Sequence, residues 1–208
     1  MAINGQVGNS TNLSDQDGSS VLSFEELGHG GANDYLPSRT GLFPIGKFTG
    51  ASVAQLDITR GFEQSDVLEF HVFGFHPVSD NTSLHFRLFE AGIIEDQGVY
   101  DRGRYEINDT GGQTFSHSST ASGVDFCNGV GNDTYEFANA IITLYNARTS
   151  TANTMYYVNA NFANSSDATI YQITGGELPQ ASVVDGIRFY FGTGNIEAGT
   201  VKMYGYED

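Results

Sequence analysis

The sequence predicts an all-β protein: an antiparallel β-sandwich, jelly-roll-like, with about nine strands and an irregular N-terminal arm. Three observations predict it. From about Ala51 the chain breaks into short runs rich in β-branched and aromatic residues, clusters of Gly, Asn, Asp and Ser separate those runs, and hardly any stretch carries helical periodicity. Repeated runs of this length with turn signals between them favour a sandwich or barrel over βαβ units.

Residues 1–50 read as the arm and residues 51–208 as the sandwich domain. Met1 to Ser20 is rich in Asn, Gly, Ser, Asp and Gln and reads as extended or irregular. Val21 to Leu27 fits one helical turn or a short strand, with Ser23 placed to cap ahead of Glu26. Gly28, Gly30 and Gly31 follow, then Pro37 and Pro44. The expected strands are Ser52 to Thr59, Val67 to Phe75, Ser83 to Glu90, Arg104 to Asn108, Phe137 to Tyr145, Met155 to Phe162, Thr169 to Thr174, Ile187 to Phe191 and Thr200 to Tyr206. Long loops are expected at Gly92 to Gly103 and Thr110 to Asp133.

Val67 to Phe75 and Ser83 to Glu90 flank Pro77-Val78-Ser79-Asp80-Asn81 and read as a hairpin. Period two gives Leu68, Phe70, Val72, Leu84, Phe86 and Leu88 to the core. The opposite face then carries His71, Phe73 and Phe75 on one strand and His85, Arg87 and Phe89 on the other. Three outward phenylalanines need cover, by the arm or by another subunit, and burying them is worth on the order of several kcal/mol. The expected interface therefore joins Phe73, Phe75 and Phe89 with the arm residues Ile3, Val7, Leu13, Val21, Leu22 and Phe24.

Charge narrows the partners. Lys plus Arg is 9 against 25 Asp plus Glu in 208 residues, a formal net charge of -16. A surface that neutralises many phosphates cannot readily be assembled from so few cations, so nucleic acid and anionic membranes are poor partners. Acids on the arm, loops and chain end would keep an outward surface soluble, with the basic residues lying largely between Arg39 and Arg104, near the docking face. The length suits one large domain. Cys127 is the single cysteine, which excludes an internal disulfide framework and argues against cysteine-ligated metal. Met1 to Ser20 has no apolar core of a secretory signal, and no run approaches the roughly 18 apolar residues of a membrane span.

Chemistry is hard to find. His29, His71, His76, His85 and His117 sit in no ligand motif; His71 and His85 would share the hairpin's outward face near Glu69, but no third zinc ligand converges there. Nucleophile elbows, P-loops and dinucleotide fingerprints are missing. Gly123-Val124-Asp125 and Gly129 to Asp133 lack the terminal Glu of a calcium loop. No catalytic residue, cofactor or metal ligand is expected, and the acid pairs Glu25-Glu26, Glu95-Asp96 and Glu207-Asp208 read as solvated. The N-x-S/T sequons at Asn9, Asn12, Asn81, Asn108, Asn132 and Asn164 follow from composition. Tyr156, Tyr157, Tyr171 and Tyr190 read as sheet packing in preference to sugar-stacking platforms.

The C-terminal segment from Val184 to Tyr206 contains Ile187-Arg188-Phe189-Tyr190-Phe191, then Gly194-Asn195-Ile196, then Gly199-Thr200 and Lys202-Met203-Tyr204-Gly205. By alternation Ile187, Phe189 and Phe191 face one way and Arg188 and Tyr190 the other. Gly192, Gly194 and Asn195 would supply the positive-φ positions of a tight hairpin that returns Val201 and Met203 to the core. This segment resembles the closing part of a family of tailed-bacteriophage virion proteins, in which a strand like IRFYF precedes a turn like SGNIASGT and a last strand like KLYG. Ile141 to Asn146 and Leu68 to Glu90 are similar to that family's aromatic-ended strand and to its paired strands around a Pro-x-x-Asp turn. Gly192 and Thr193 stand where a Ser-Ser pair is usual, and Glu197 replaces a small residue.

The resemblance spans roughly residues 51–208 and implies a non-enzymatic β-sandwich protein of the phage particle. Such a protein, made in the bacterial host's cytoplasm, decorates the capsid or forms part of the tail. Its partners would be other copies of itself and major capsid or tail proteins. The alternative is a receptor- or carbohydrate-binding adhesin or tail-fibre module, whose Gly92 to Gly103 and Thr110 to Asp133 loops contact a host surface glycan. A β-sandwich hydrolase would require two acids converging in a cleft.

Overall fold

The computed structural model describes residues 41–206. Thirteen strands account for most of them: β1 Leu42–Val53, β2 Gln55–Ile58, β3 Leu68–Pro77, β4 Thr82–Glu90, β5 Ile93–Ile94, β6 Tyr100–Asn108, β7 Gln113–Ala121, β8 Val124–Val130, β9 Ala138–Tyr145, β10 Thr154–Ala163, β11 Thr169–Leu178, β12 Val184–Phe191 and β13 Ile196–Tyr206. They form two antiparallel sheets, an eight-stranded one in the order β1-β13-β3-β9-β10-β11-β6-β7 and a five-stranded one in the order β2-β12-β4-β5 with β8 also paired to β4. The all-β sandwich expected from the sequence is therefore present. Helix among the described residues is confined to a 3-10 turn, Phe62–Gln64, and none is long and apolar enough to cross a membrane.

The core follows the period-two rule. Leu68, Phe70 and Val72 of β3, Ile142 and Leu144 of β9, Val158 and Phe162 of β10 and Val201 and Met203 of β13 point inward from the larger sheet. Leu84, Phe86 and Leu88 of β4, Phe126 of β8 and Ile187 and Phe189 of β12 meet them from the smaller one. Phe189 lies at the centre, its ring 5.9 Å from Phe75, 6.3 Å from Phe126 and 6.4 Å from Phe70. Each buried side chain of this size contributes about 1.5–3 kcal/mol.

The chain passes repeatedly from one sheet to the other, and this corrects both expected hairpins. β3 pairs with β13 and β9 while β4 pairs with β12, β5 and β8, so residues 78–81 connect two layers instead of closing a hairpin. β12 and β13 are likewise in different sheets, and among Gly192, Gly194 and Asn195 only Gly194 has positive φ, at 75°. The two crossovers clasp each other. Val78 N–H donates to the Asn195 carbonyl at 3.0 Å, Thr193 N–H donates to Thr82 Oγ1 at 3.0 Å, and Ser79 fills the space beside Gly194 that any Cβ would need. A turn sequence specifies a reversal but not which sheet receives the next strand.

Two of the expected outward phenylalanines are covered within the domain. Gly74 adopts φ 57° at a bulge where the β3–β9 register shifts between Val72 and Phe75. The extra residue turns Phe75 into the core, where it is fully buried, and leaves Phe73 outside at 42 % exposure. Phe89 does lie on the outer face of the smaller sheet, yet it is only 8 % exposed because it packs on Gly186 and beneath the Arg188 guanidinium, 5.3 Å from its ring. Ile3, Val7, Leu13, Val21, Leu22 and Phe24 lie outside the described residues.

The expected boundary at residue 50 falls inside β1. Its Pro44 and Gly46 mask a strand that tolerates them, since β1 is an edge strand and its register with β13 shifts between those two residues. The expected long loops also contain strands: β5 and the start of β6 in the first, β7 and β8 in the second. β7, with the sequence Gln113-Thr114-Phe115-Ser116-His117-Ser118-Ser119-Thr120-Ala121, is polar because it is the other edge of the larger sheet.

Candidate functional site

Two surfaces of the sandwich carry chemistry beyond packing. The first is the outer face of the larger sheet. Antiparallel register aligns Lys47, Lys202, His71, Ile141, Asn159, Ile173, Tyr105 and Phe115 in one row across all eight strands. A neighbouring row aligns Tyr204, Glu69, Thr143 and Tyr157. Phe73, Phe115, Ile141, Tyr145, Met155, Tyr157, Tyr171 and Tyr206 are all exposed on this face. It is ordered locally: Phe115 packs on Tyr105 at 4.8 Å, Lys202 Nζ lies 5.4 Å from the Phe73 ring, and Tyr206 donates to Glu69 Oε2 at 2.9 Å.

The second is a cleft of about 440 Å³ where the larger sheet outruns the smaller. β8 packs on β10, β11 and β6, and β7 is the edge strand beyond β6, so the cleft opens beside the end of β8. The inner-facing residues of β6 are polar: Arg102 and Arg104 pack against Asp125 of β8, and Glu106 and Asn108 reach the cleft. Glu106, Asn108, Gln113 and Thr114 line the cleft on the β6–β7 side, Ser83 and Asn128 on the β4–β8 side, and Asn81, Asn164 and Ser165 come from connections. Ile170 is its apolar member.

Two turns fix this wall. At the β6–β7 turn, Asn108 Oδ1 accepts from Gly112 N–H at 2.5 Å and from the Thr110 hydroxyl at 2.9 Å, with Gly111 at φ 85°. At the β10–β11 turn, Asn164 Oδ1 accepts from Ser166 and Ala168 N–H, each at 3.0 Å. Ser165 N–H donates to the Gly129 carbonyl at 3.3 Å, which ties that turn to the end of β8.

Behind the cleft lies a charged ladder. Asp125 of β8 is buried between Arg102 and Arg104 and pairs with both. Arg104 Nε stands 2.8 Å from Glu106 Oε1 without the alignment of a hydrogen bond. Two guanidiniums and two carboxylates thus offset one another in a space where an unpaired charge would be costly. Burial, and then the Arg104 charge beside it, lower the Arg102 pKa. Gln172, fully buried on β11, donates to the Asp125 carbonyl at 3.3 Å and to Thr174 Oγ1 at 2.9 Å, and accepts from Asn128 N–H at 3.2 Å. Sequence alone hides this ladder because Arg102 falls in the expected Gly92 to Gly103 loop. The signal was the alternation of Arg102, Arg104 and Glu106 with Gly103, Tyr105 and Ile107.

The expected histidine pairing does not occur, since His71 and His85 stand on different sheets. His71 Nε2 meets Glu69 Oε1 at 2.5 Å, and His76 contacts Glu197 Oε2 at 2.8 Å and the Asp133 carbonyl at 3.0 Å. His85 stacks on Tyr190 at 5.1 Å, with the Arg87 guanidinium 4.8 Å from the same tyrosine ring. Carboxylates of Asp133, Glu136 and Asp167 gather within 4.8 Å, but the buried one, Glu136, accepts from Asp133 N–H at 2.7 Å and serves the loop backbone. Cys127 is buried in β8, and burial pushes its thiol pKa well up, which makes it unreactive. Of the four tyrosines, Tyr156 is core, Tyr190 belongs to the stack with His85, and Tyr157 and Tyr171 lie on the exposed outer face.

Compared with known proteins, the chain matches no family model, no curated protein and no solved structure.

Proposed function

We propose that this chain is a non-enzymatic structural protein of a bacteriophage particle, decorating the capsid surface or forming part of the tail. It works through contacts with copies of itself and with other virion proteins. The outer face of the eight-stranded sheet carries the reading. Its eight exposed large side chains range from 37 to 73 % exposed. At ~150–250 Å² for each aromatic, they present on the order of 600 Å² of largely apolar area, near the ~800 Å² per partner of a standard interface. That area stands at the upper end of the roughly 300–600 Å² of the largest apolar patch on a typical monomer, and patches of that size are often functional. Asn139, Asn159 and Asn161 interleave with the aromatics and supply hydrogen-bonding groups of the kind that fix register between surfaces. The resemblance of the Val184 to Tyr206 segment to phage virion proteins supplies the kind of particle.

Quantitative mass spectrometry of purified particles tests this reading. The protein is expected at a fixed copy number, hundreds for a capsid lattice and a handful for a tail. Tyr157→Glu and Phe73→Asp, both at exposed positions, are expected to lower incorporation while leaving the melting temperature within a few degrees. Absence from purified particles, or wild-type incorporation of both variants, would overturn it.

A further inference from the structure

We infer that the cleft between β6–β7 and β8 binds a neutral polyhydroxylated ligand, a saccharide of one or two rings. Its size lies within the roughly 300–1,000 Å³ of small-molecule sites. Its lining decides the ligand class. Apart from Ile170 the side chains are amides, hydroxyls and one carboxylate, and among the described residues no lysine or arginine lines it. An anion such as phosphate would find no cation there, and an apolar ligand would leave the amides unpaired.

The amides are oriented before any ligand arrives. Asn108 and Asn164 receive backbone N–H groups, which only donate, so the bonded atom in each side chain is the carbonyl oxygen. Each NH2 group is therefore the remaining atom, and neither has a partner among the described residues. These are two fixed donors. The Glu106 carboxylate supplies the acceptor: it meets Arg104 as a charge and accepts no hydrogen bond from any described residue. Arg104, itself held by Asp125, fixes the carboxylate in place at the back of the cleft. A sugar hydroxyl both donates and accepts, so neighbouring hydroxyls fit a carboxylate flanked by NH2 groups, with Ile170 against the ring's C–H face. Because the donors are anchored by turn backbones, binding orders little that was not already ordered.

Amide NMR shifts of the full chain test the site, with glucose, galactose, mannose, N-acetylglucosamine and fucose at millimolar concentrations and inorganic phosphate as control. At least one sugar is expected to shift the amides of Asn108, Gly112 to Thr114, Asn128, Gly129 and Ser165, and phosphate to shift none of them. Glu106→Gln is expected to weaken that sugar at least tenfold. Since Glu106 also meets Arg104, a second variant, Thr114→Trp, fills the cleft from an exposed position directly opposite Glu106 and should abolish the shifts in a normally folded protein. The inference fails if no sugar in the panel moves these amides, if phosphate moves them equally, or if Thr114→Trp binds as the wild type does.

Discussion

Phe75 packs face-on against Gly199, so close that a Cβ on residue 199 would come within 2.6 Å of the ring. The contact joins β3 to β13 at the point where both change register. It exists because the Gly74 bulge turns Phe75 inward. A methyl group at 199 would have to displace a fully buried ring that also packs on Phe189, with core on its far side. Gly199→Ala is therefore expected to cost about 1–3 kcal/mol, the range for overpacking a well-filled interior. Urea denaturation should show a lower midpoint with an unchanged slope. An unchanged midpoint would mean that β13 can shift away from β3 at this bulge.

The buried ladder predicts a larger effect from a smaller change. Asp125→Asn alters no volume but leaves Arg102 and Arg104 facing each other with one carboxylate, Glu106, between them and the cleft. Removing one partner of a buried ion pair costs about 3–5 kcal/mol, because the remaining charge is left uncompensated. Thermal unfolding should register Asp125→Asn as far more damaging than Asp57→Asn, whose partner Arg188 lies on the outer face of the smaller sheet. Equal losses from the two substitutions would show that the ladder behaves like a solvated surface pair.

How much of this was legible in the sequence depends on which physical rule a residue obeyed. Alternation within a strand was readable: Leu68, Phe70, Val72, Leu84, Phe86, Leu88, Ile187, Phe189, Val201 and Met203 are all inside, as period two requires. Pairing between strands was not, because both connections read as hairpins cross between layers and their turn residues are the same either way. Phe75 was misplaced by one inserted residue, Gly74, and a bulge leaves no mark in composition. Edge strands β1 and β7 hid behind proline, glycine and serine, which an edge tolerates and a central strand does not. The cleft depends on a difference in width between two sheets, a property of the assembled sandwich that no single segment encodes.

His85 gives the fold a dependence on acid that can be isolated. Burial first, then the nearby charges of Arg87, Arg102 and Arg104, lower its pKa from 6.5 to about 4. The folded protein therefore holds a neutral imidazole at pH 7, where the unfolded chain is mostly neutral as well, and His85 then adds no pH dependence. As the pH falls through 6.5 the unfolded chain takes up a proton that the folded state accepts only near pH 4. Across that window stability is lost, by up to about 3 kcal/mol for a shift of this size. His85→Phe keeps a ring against Tyr190 and removes the titration. Carboxylates elsewhere destabilise both proteins in acid, so the informative quantity is the difference between their unfolding free energies, measured by denaturant titration at several pH values. That difference should stay level above pH 7 and move in favour of the variant between pH 6.5 and 4. Parallel stability curves would show that His85 is protonated in the folded protein as readily as in the unfolded one, and that its stack on Tyr190 leaves it open to water.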